Sequence, residues 1–214
     1  MNSFELKVLI PLMAPFITVF LGILTIPFIE DIKNYNERKR LLKVLEEELK
    51  DEVKIILNEF YALYPCYIEI LSVKNGVKAS KYNTVTPINL VLFSIDPLLN
   101  NHFHTLEPNL RLSIKNIKSL FEHLNIVTGQ LHELYHDALQ KDGEDNLKLG
   151  KLLDLLNSYL CNLLSLRYHM YYLINLLTQK PSDLKIYYEV SFEDSILHQL
   201  KELDKIDYYS YLIN

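Results

Sequence analysis

The hydrophobic and polar positions of this chain follow three different rhythms. From Val8 to Ile29, VLIPLMAPFITVFLGILTIPFI, 22 residues run without a charge. At about 1.5 Å per residue this stretch matches a hydrocarbon core of about 30 Å, so it predicts a transmembrane helix. It is longer than the apolar part of a signal peptide and closes on IPFIED with no small-residue cleavage site, which favours a retained anchor over residues 1–30. Beyond Pro27 the pattern becomes amphipathic. Leu42, Leu45, Leu49, Val53, Ile56, Phe60 and Leu63 recur at steps of three and four, predicting a helix from Asp31 to Tyr64 that Pro65 stops. Its other face, with Glu46, Glu47, Asp51, Lys54 and Glu59, is expected to be solvated.

Between Pro65 and Pro108 the period breaks. Asn75-Gly76 suits a tight turn, which allows either a short hairpin around residues 67–82 or a helix that continues to Val73 and ends at Gly76. The turn is basic through Lys74, Lys78 and Lys81, as a solvated turn or one touching anionic headgroups would be. TPINLVLFSI then predicts a short buried helix with Pro87 in its first turn.

Helical periodicity returns from Glu107 to Gln140, with Leu110, Ile114, Ile117, Phe121, Leu124, Thr128, Leu131, Tyr135 and Ala138 inward and Gly143 as the stop. A further helix runs from Leu147 to Gln179. Its stripe of Asp154, Ser158, Asn162, Ser165 and His169, with Arg167, predicts a central bundle helix rather than a second membrane span. Ser191 to Tyr208 reads as a terminal helix with Phe192, Ile196, Leu200 and Leu203 inward. The fold class is all-α: a single N-terminal transmembrane helix, a long amphipathic helix and an antiparallel helical bundle, with residues 31–214 as one domain.

Charge places that domain. Lys33, Arg38, Lys39, Arg40 and Lys43 follow the apolar run, against Lys7 and the amino terminus before it, so the domain is expected in the cytoplasm. The 22 basic and 27 acidic residues give a net charge of -5 without a basic block, which argues against nucleic acid as a partner. Cys66 and Cys161 lie far apart in apolar surroundings and read as buried thiols of a reducing compartment. Scarce glycine, no Trp and abundant Leu, Ile, Asn, Lys and Tyr suit a helical bacterial protein, whose anchor would lie in the inner (cytoplasmic) membrane.

One motif carries chemistry. His132-Glu133-Leu134-Tyr135-His136 fits H-E-x-x-H, in which two His one helical turn apart bind zinc and the Glu handles the proton of the attacking water. With Asp142 as a third ligand, HELYHDALQKD resembles the H-E-x-x-H-x-x-G-x-x-D signature of the snapalysin-type metzincin peptidases. That resemblance covers eleven residues and implies a zinc peptidase. The chain departs from the signature at Leu139, where the family has the glycine that turns the chain back to the metal, and it carries charged Asp137 after the second His. An uninterrupted helix would swing Asp142 away from His136. His132, His136 and Glu133 are therefore rim residues by this reading, with His102 and His104 as remote ligands that nothing brings near. No phosphate loop or nucleophile elbow occurs, and no cofactor is expected. Arg167 and His169, two residues apart, do not share a helix face as a catalytic pair would.

The anchor holds one further pattern. Pro11, Ala14, Pro15, Thr18, Gly22 and Thr25 share a face, and Ala14-x-x-x-Thr18-x-x-x-Gly22 is a small-residue seam through which membrane helices approach closely. The expectation is a non-enzymatic, single-pass membrane protein whose partners are the lipid bilayer and a protein or a second copy. The alternative is a membrane effector of a bacterial conflict or anti-phage defence system that perturbs the bilayer on assembly.

Overall fold

The computed structural model describes the backbone of residues 3–76, 87–140 and 146–213, and the side chains within them except those of 3–12, 17, 136–140, 146 and 147. The chain is mostly helical, with no strand among the described residues. Six α-helices follow in order: α1 (Ser3–Lys74), α2 (Ile95–Asn101), α3 (Pro108–Gln140), α4 (Asn146–Thr178), α5 (Phe192–Glu202) and α6 (Tyr209–Ile213). Single 3₁₀ turns cover Phe103–Thr105 and Ile206–Tyr208. The chain divides into two units, Met1–Lys43 and Val44–Asn214.

In the first unit the side chains described from Met13 onward are exposed, apart from half-buried Gly22, Arg38, Leu41 and Leu42. The Thr18 hydroxyl donates to the Ala14 carbonyl at 2.9 Å and that of Thr25 to the Gly22 carbonyl at 3.0 Å. Each therefore satisfies its polar group within its own helix.

In the second unit the three- and four-residue steps become a core. Leu45, Leu49, Val53, Ile56, Phe60 and Leu63 of α1 are buried, as are Leu110, Ile114, Ile117, Phe121, Leu124, Thr128, Leu131 and Tyr135 of α3. Helix α4 is the centre of this core, with every residue from Leu163 to Met170 buried. Ser113 and Asn116, near the start of α3, lie beside His169 and Tyr172, near the end of α4, so these two helices run in opposite senses. The C-terminus closes on α1 and α4. Tyr208 stacks on Tyr64 with ring centroids 3.9 Å apart, the Tyr67 hydroxyl donates to the Tyr211 carbonyl at 2.9 Å, and Asn157 Nδ2 donates to the Leu212 carbonyl at 3.0 Å.

Four expectations are corrected. Helix α1 does not stop at Pro65 but continues to Lys74. Tyr61, Ala62 and Pro65 are all exposed, so the Tyr61 carbonyl that proline leaves without an amide partner reaches water. The helix ends where the chain offers a left-handed residue: Gly76, at φ 91°, donates its N–H to the Val73 carbonyl at 2.9 Å. Residues 67–74 are thus helix rather than the first strand of a hairpin, and 77–82 lie outside the described residues.

Pro87 to Leu92 form no helix; a turn at Phe93 and Ser94 leads into α2. Side chains of α1 and α3 have taken the backbone groups that a helix would need. The predicted terminal helix is interrupted after Glu202, with Asp204 at φ 54°, and Phe192 is 46 % exposed at its start rather than inward. Finally, Glu59 is buried, at 5 % exposure, instead of solvated.

Candidate functional site

The non-helical segment Pro87–Ser94 crosses α1 and α3 and is fastened by their side chains. Glu48, Glu52 and Glu59 lie four and seven residues apart on α1 and so share a stripe. Glu59 Oε1 accepts the Ile88 N–H at 2.8 Å. Glu52 lies beside the Val91 backbone. Glu48 Oε2 accepts both the Ser94 N–H, at 3.2 Å, and the Ser94 hydroxyl. From α3, Asn125 pairs with both backbone groups of Leu90: Oδ1 accepts its N–H at 3.1 Å and Nδ2 donates to its carbonyl at 3.0 Å. Leu90, at 2 % exposure, points into the core, while Ile88, Val91 and Phe93 face solvent.

Beneath this strap the Tyr159 hydroxyl of α4 donates to Glu59 Oε1 at 2.7 Å. Desolvation holds the Glu59 carboxyl above its ordinary range, partly offset by the hydrogen bonds from Tyr159 and Ile88. Glu52 is also raised, by desolvation first and then by the neighbouring charges of Glu48, Glu59 and Asp51. Burial raises the Tyr159 hydroxyl as well, so it remains a donor.

The zinc-like motif sits at the other end of the same segment. His132 Nε2 lies 3.2 Å from the Pro87 carbonyl, a contact in which the ring nitrogen must carry the proton. In that state Nε2 has no lone pair for a metal. Glu133 is exposed, and α3 continues through Leu139 to Gln140 without the turn that a third ligand would need. The side chain of His136 and all of Asp142 lie outside the described residues. Among the described residues, no three His, Cys, Asp or Glu side chains converge as a metal centre.

A second polar cluster joins α4 to α5. Arg167, 4 % exposed, donates through Nη1 to Gln199 Oε1 and, at 3.2 Å, to Glu202 Oε2; Nη2 meets the Tyr171 hydroxyl at 3.2 Å. Next to it the Ser195 hydroxyl donates to that of Ser165 at 3.0 Å. His169 points elsewhere, beside Ser113, Asn116, Tyr172 and Tyr187, and burial lowers its pKa to about 4, so it is a neutral ring at neutral pH. Burial pushes the Cys161 thiol up to about 12, which suppresses the thiolate.

Ala14, Thr18 and Gly22 all lie in α1, and nothing stands within 4 Å of where a side chain on Gly22 would begin. Sequence reasoning missed the Glu48, Glu52 and Glu59 stripe, although its spacing was a usable signal. Glu59 falls three residues after Ile56 and four before Leu63, and Glu52 three after Leu49 and four before Ile56, which places both beside core positions. Comparison with protein-family models, curated proteins and solved structures gave no match.

Proposed function

We propose that this chain is a single-pass membrane protein whose helical domain, an antiparallel bundle, faces the cytoplasm and acts by binding a protein partner or a second copy of itself, without catalysis. The carrying observation is the uncovered apolar stretch of α1. It contains the one candidate span among the described residues, where mean hydropathy reaches 1.9 over a window of which none is buried. Phe16, Phe20 and Phe28 are each about two-thirds exposed (68, 64 and 66 %). In water such a surface carries a large hydrophobic cost; a bilayer removes it. The tied-back Thr18 and Thr25 hydroxyls fit the same medium. The basic residues Lys33 to Lys43 supply the orientation. The seam of Ala14, Thr18 and Gly22 is where two copies would pack, since close backbone approach drives association in lipid.

Two measurements test this reading. An Asn214→Cys variant in intact cells should resist a membrane-impermeant thiol reagent and react after permeabilisation. Cys66 and Cys161 are buried and give little background. Labelling from outside would refute the orientation. In mild detergent, Gly22→Leu should lower the oligomer population while Leu21→Ala leaves it unchanged. Equal populations in both variants would move the seam out of the anchor. Dye release from vesicles on assembly would identify the protein as a bilayer-perturbing effector.

A further inference from the structure

Residues 87–94, PINLVLFS, contain no ionisable side chain, yet ionisable side chains hold backbone groups at both ends of the segment. Glu59 and Glu48 take the N–H groups of Ile88 and Ser94, Glu52 lies between them on the same stripe beside the Val91 backbone, and Leu90 is held by the neutral amide of Asn125. None of the three carboxylates has an ion-pair partner among the described residues. The titratable groups around them are Asp51 and the three Glu themselves on α1, Tyr159 on α4, and His132 of α3 at the Pro87 carbonyl. At the far end, Asp96 of α2 and Lys118 of α3 pair with each other. Glu59 Oε2 and Glu52 Oε2 are buried without a hydrogen-bond partner among the described residues.

A carboxylate enclosed this way loses its hydration and gains no cation, so closure favours the neutral acid and opening favours the ion. Protonation costs the strap no hydrogen bond. Glu59 Oε1 still accepts from Ile88 and Tyr159, while the proton occupies Oε2, the oxygen without a partner.

We propose that residues 87–94 form a proton-locked strap, closed over the Glu59 and Tyr159 pair while Glu52 and Glu59 hold protons and lifting as they ionise. Both carboxyls are raised in the closed state. Their contribution to closure is therefore complete below the ordinary glutamate value and is lost as pH rises through the closed-state value. The strap tightens in mild acid and loosens toward neutrality.

The test is amide hydrogen exchange of the full-length protein in detergent, followed from about pH 4.5 to about pH 8 and corrected for intrinsic rates. Amides of Leu160 to Leu166 in α4 serve as the internal reference. Protection of Ile88, Leu90 and Ser94 should fall relative to α4 as pH rises. The fall should be about tenfold for each pH unit separating the closed-state and open-state values. Glu59→Gln and Glu52→Gln keep an acceptor oxygen but cannot ionise, so each should flatten this profile, and either variant suffices if the other does not fold. Strap protection that tracks α4 at every pH overturns the proposal. So does a pH-dependent loss that persists unchanged in a folded Gln variant.

Discussion

The stretch of α1 from Met13 to Glu30 and the helix α4 are both dominated by leucine, isoleucine and aromatic residues, yet one is bare and the other sealed. What separates them is the placement of their few polar side chains. In α4, Ser165, Arg167 and His169 are buried, and Ser165 and Arg167 meet counterparts on α5. In α1, the two threonines turn back onto their own helix and offer a neighbour nothing. An apolar helix that carries polar groups matched to surrounding helices joins a protein core; one that has silenced its polar groups is suited to a medium with no partners.

Truncation of leucines should break this symmetry most strongly. Leu163→Ala in α4 removes a side chain at 0 % exposure and is expected to cost about 2–5 kcal/mol. Leu24→Ala, 57 % exposed in α1, should leave the unfolding midpoint of the domain unchanged. Denaturant titration of both full-length variants by circular dichroism checks the contrast. Equal losses would mean that the exposed stretch of α1 is part of the folded core.

A smaller effect comes from the neutral His169. Its pKa lies near 4, below the ordinary 6.5. It therefore adds stability that is present above about pH 6.5 and is lost as pH falls toward about pH 4, roughly 3 kcal/mol at most. Glu52 and Glu59 act in the opposite sense over the acid range. His169→Phe should flatten the acid side of the stability profile, exposing the gain from the two glutamates. An unchanged acid slope would show that the ring is not desolvated.

The smallest effect belongs at the edge of α5. The Ser191 hydroxyl caps this helix, accepting the Asp194 N–H at 3.0 Å. Ser191→Ala should cost about 1 kcal/mol. A loss well above that, read from the same unfolding curves, would show that α5 is held mainly at its cap rather than through Arg167, Gln199 and Ser195.

The sequence exposed what periodicity can carry. The core faces of α1 and α3 followed directly from the steps of three and four, because side chains at those spacings share one side of a helix. Two kinds of feature were hidden. Pro87 to Leu92 lost its helix to hydrogen bonds from Glu59 and Asn125, residues 29 and 35 positions away from the groups they hold, and no local propensity reports such partners. Glu59 was misread because its polarity outweighed its position between Ile56 and Leu63. At the motif HELYH, the spacing gave the helix face, while the contact of His132 with Pro87 depended on where the strap would run.

The clasp between the two ends of the domain also bears on the order in which the chain can mature. Tyr67 bonds the Tyr211 carbonyl across 144 residues, and Tyr64 stacks on Tyr208. During synthesis the apolar start of α1 leaves the ribosome before Tyr64 and Tyr67, whose partners Tyr208 and Tyr211 follow 144 residues after them. The exposed apolar stretch is thus delivered before the domain behind it can latch. For as long as translation lasts, the aromatic face of α1 from Phe60 to Tyr67 stands open to chaperones.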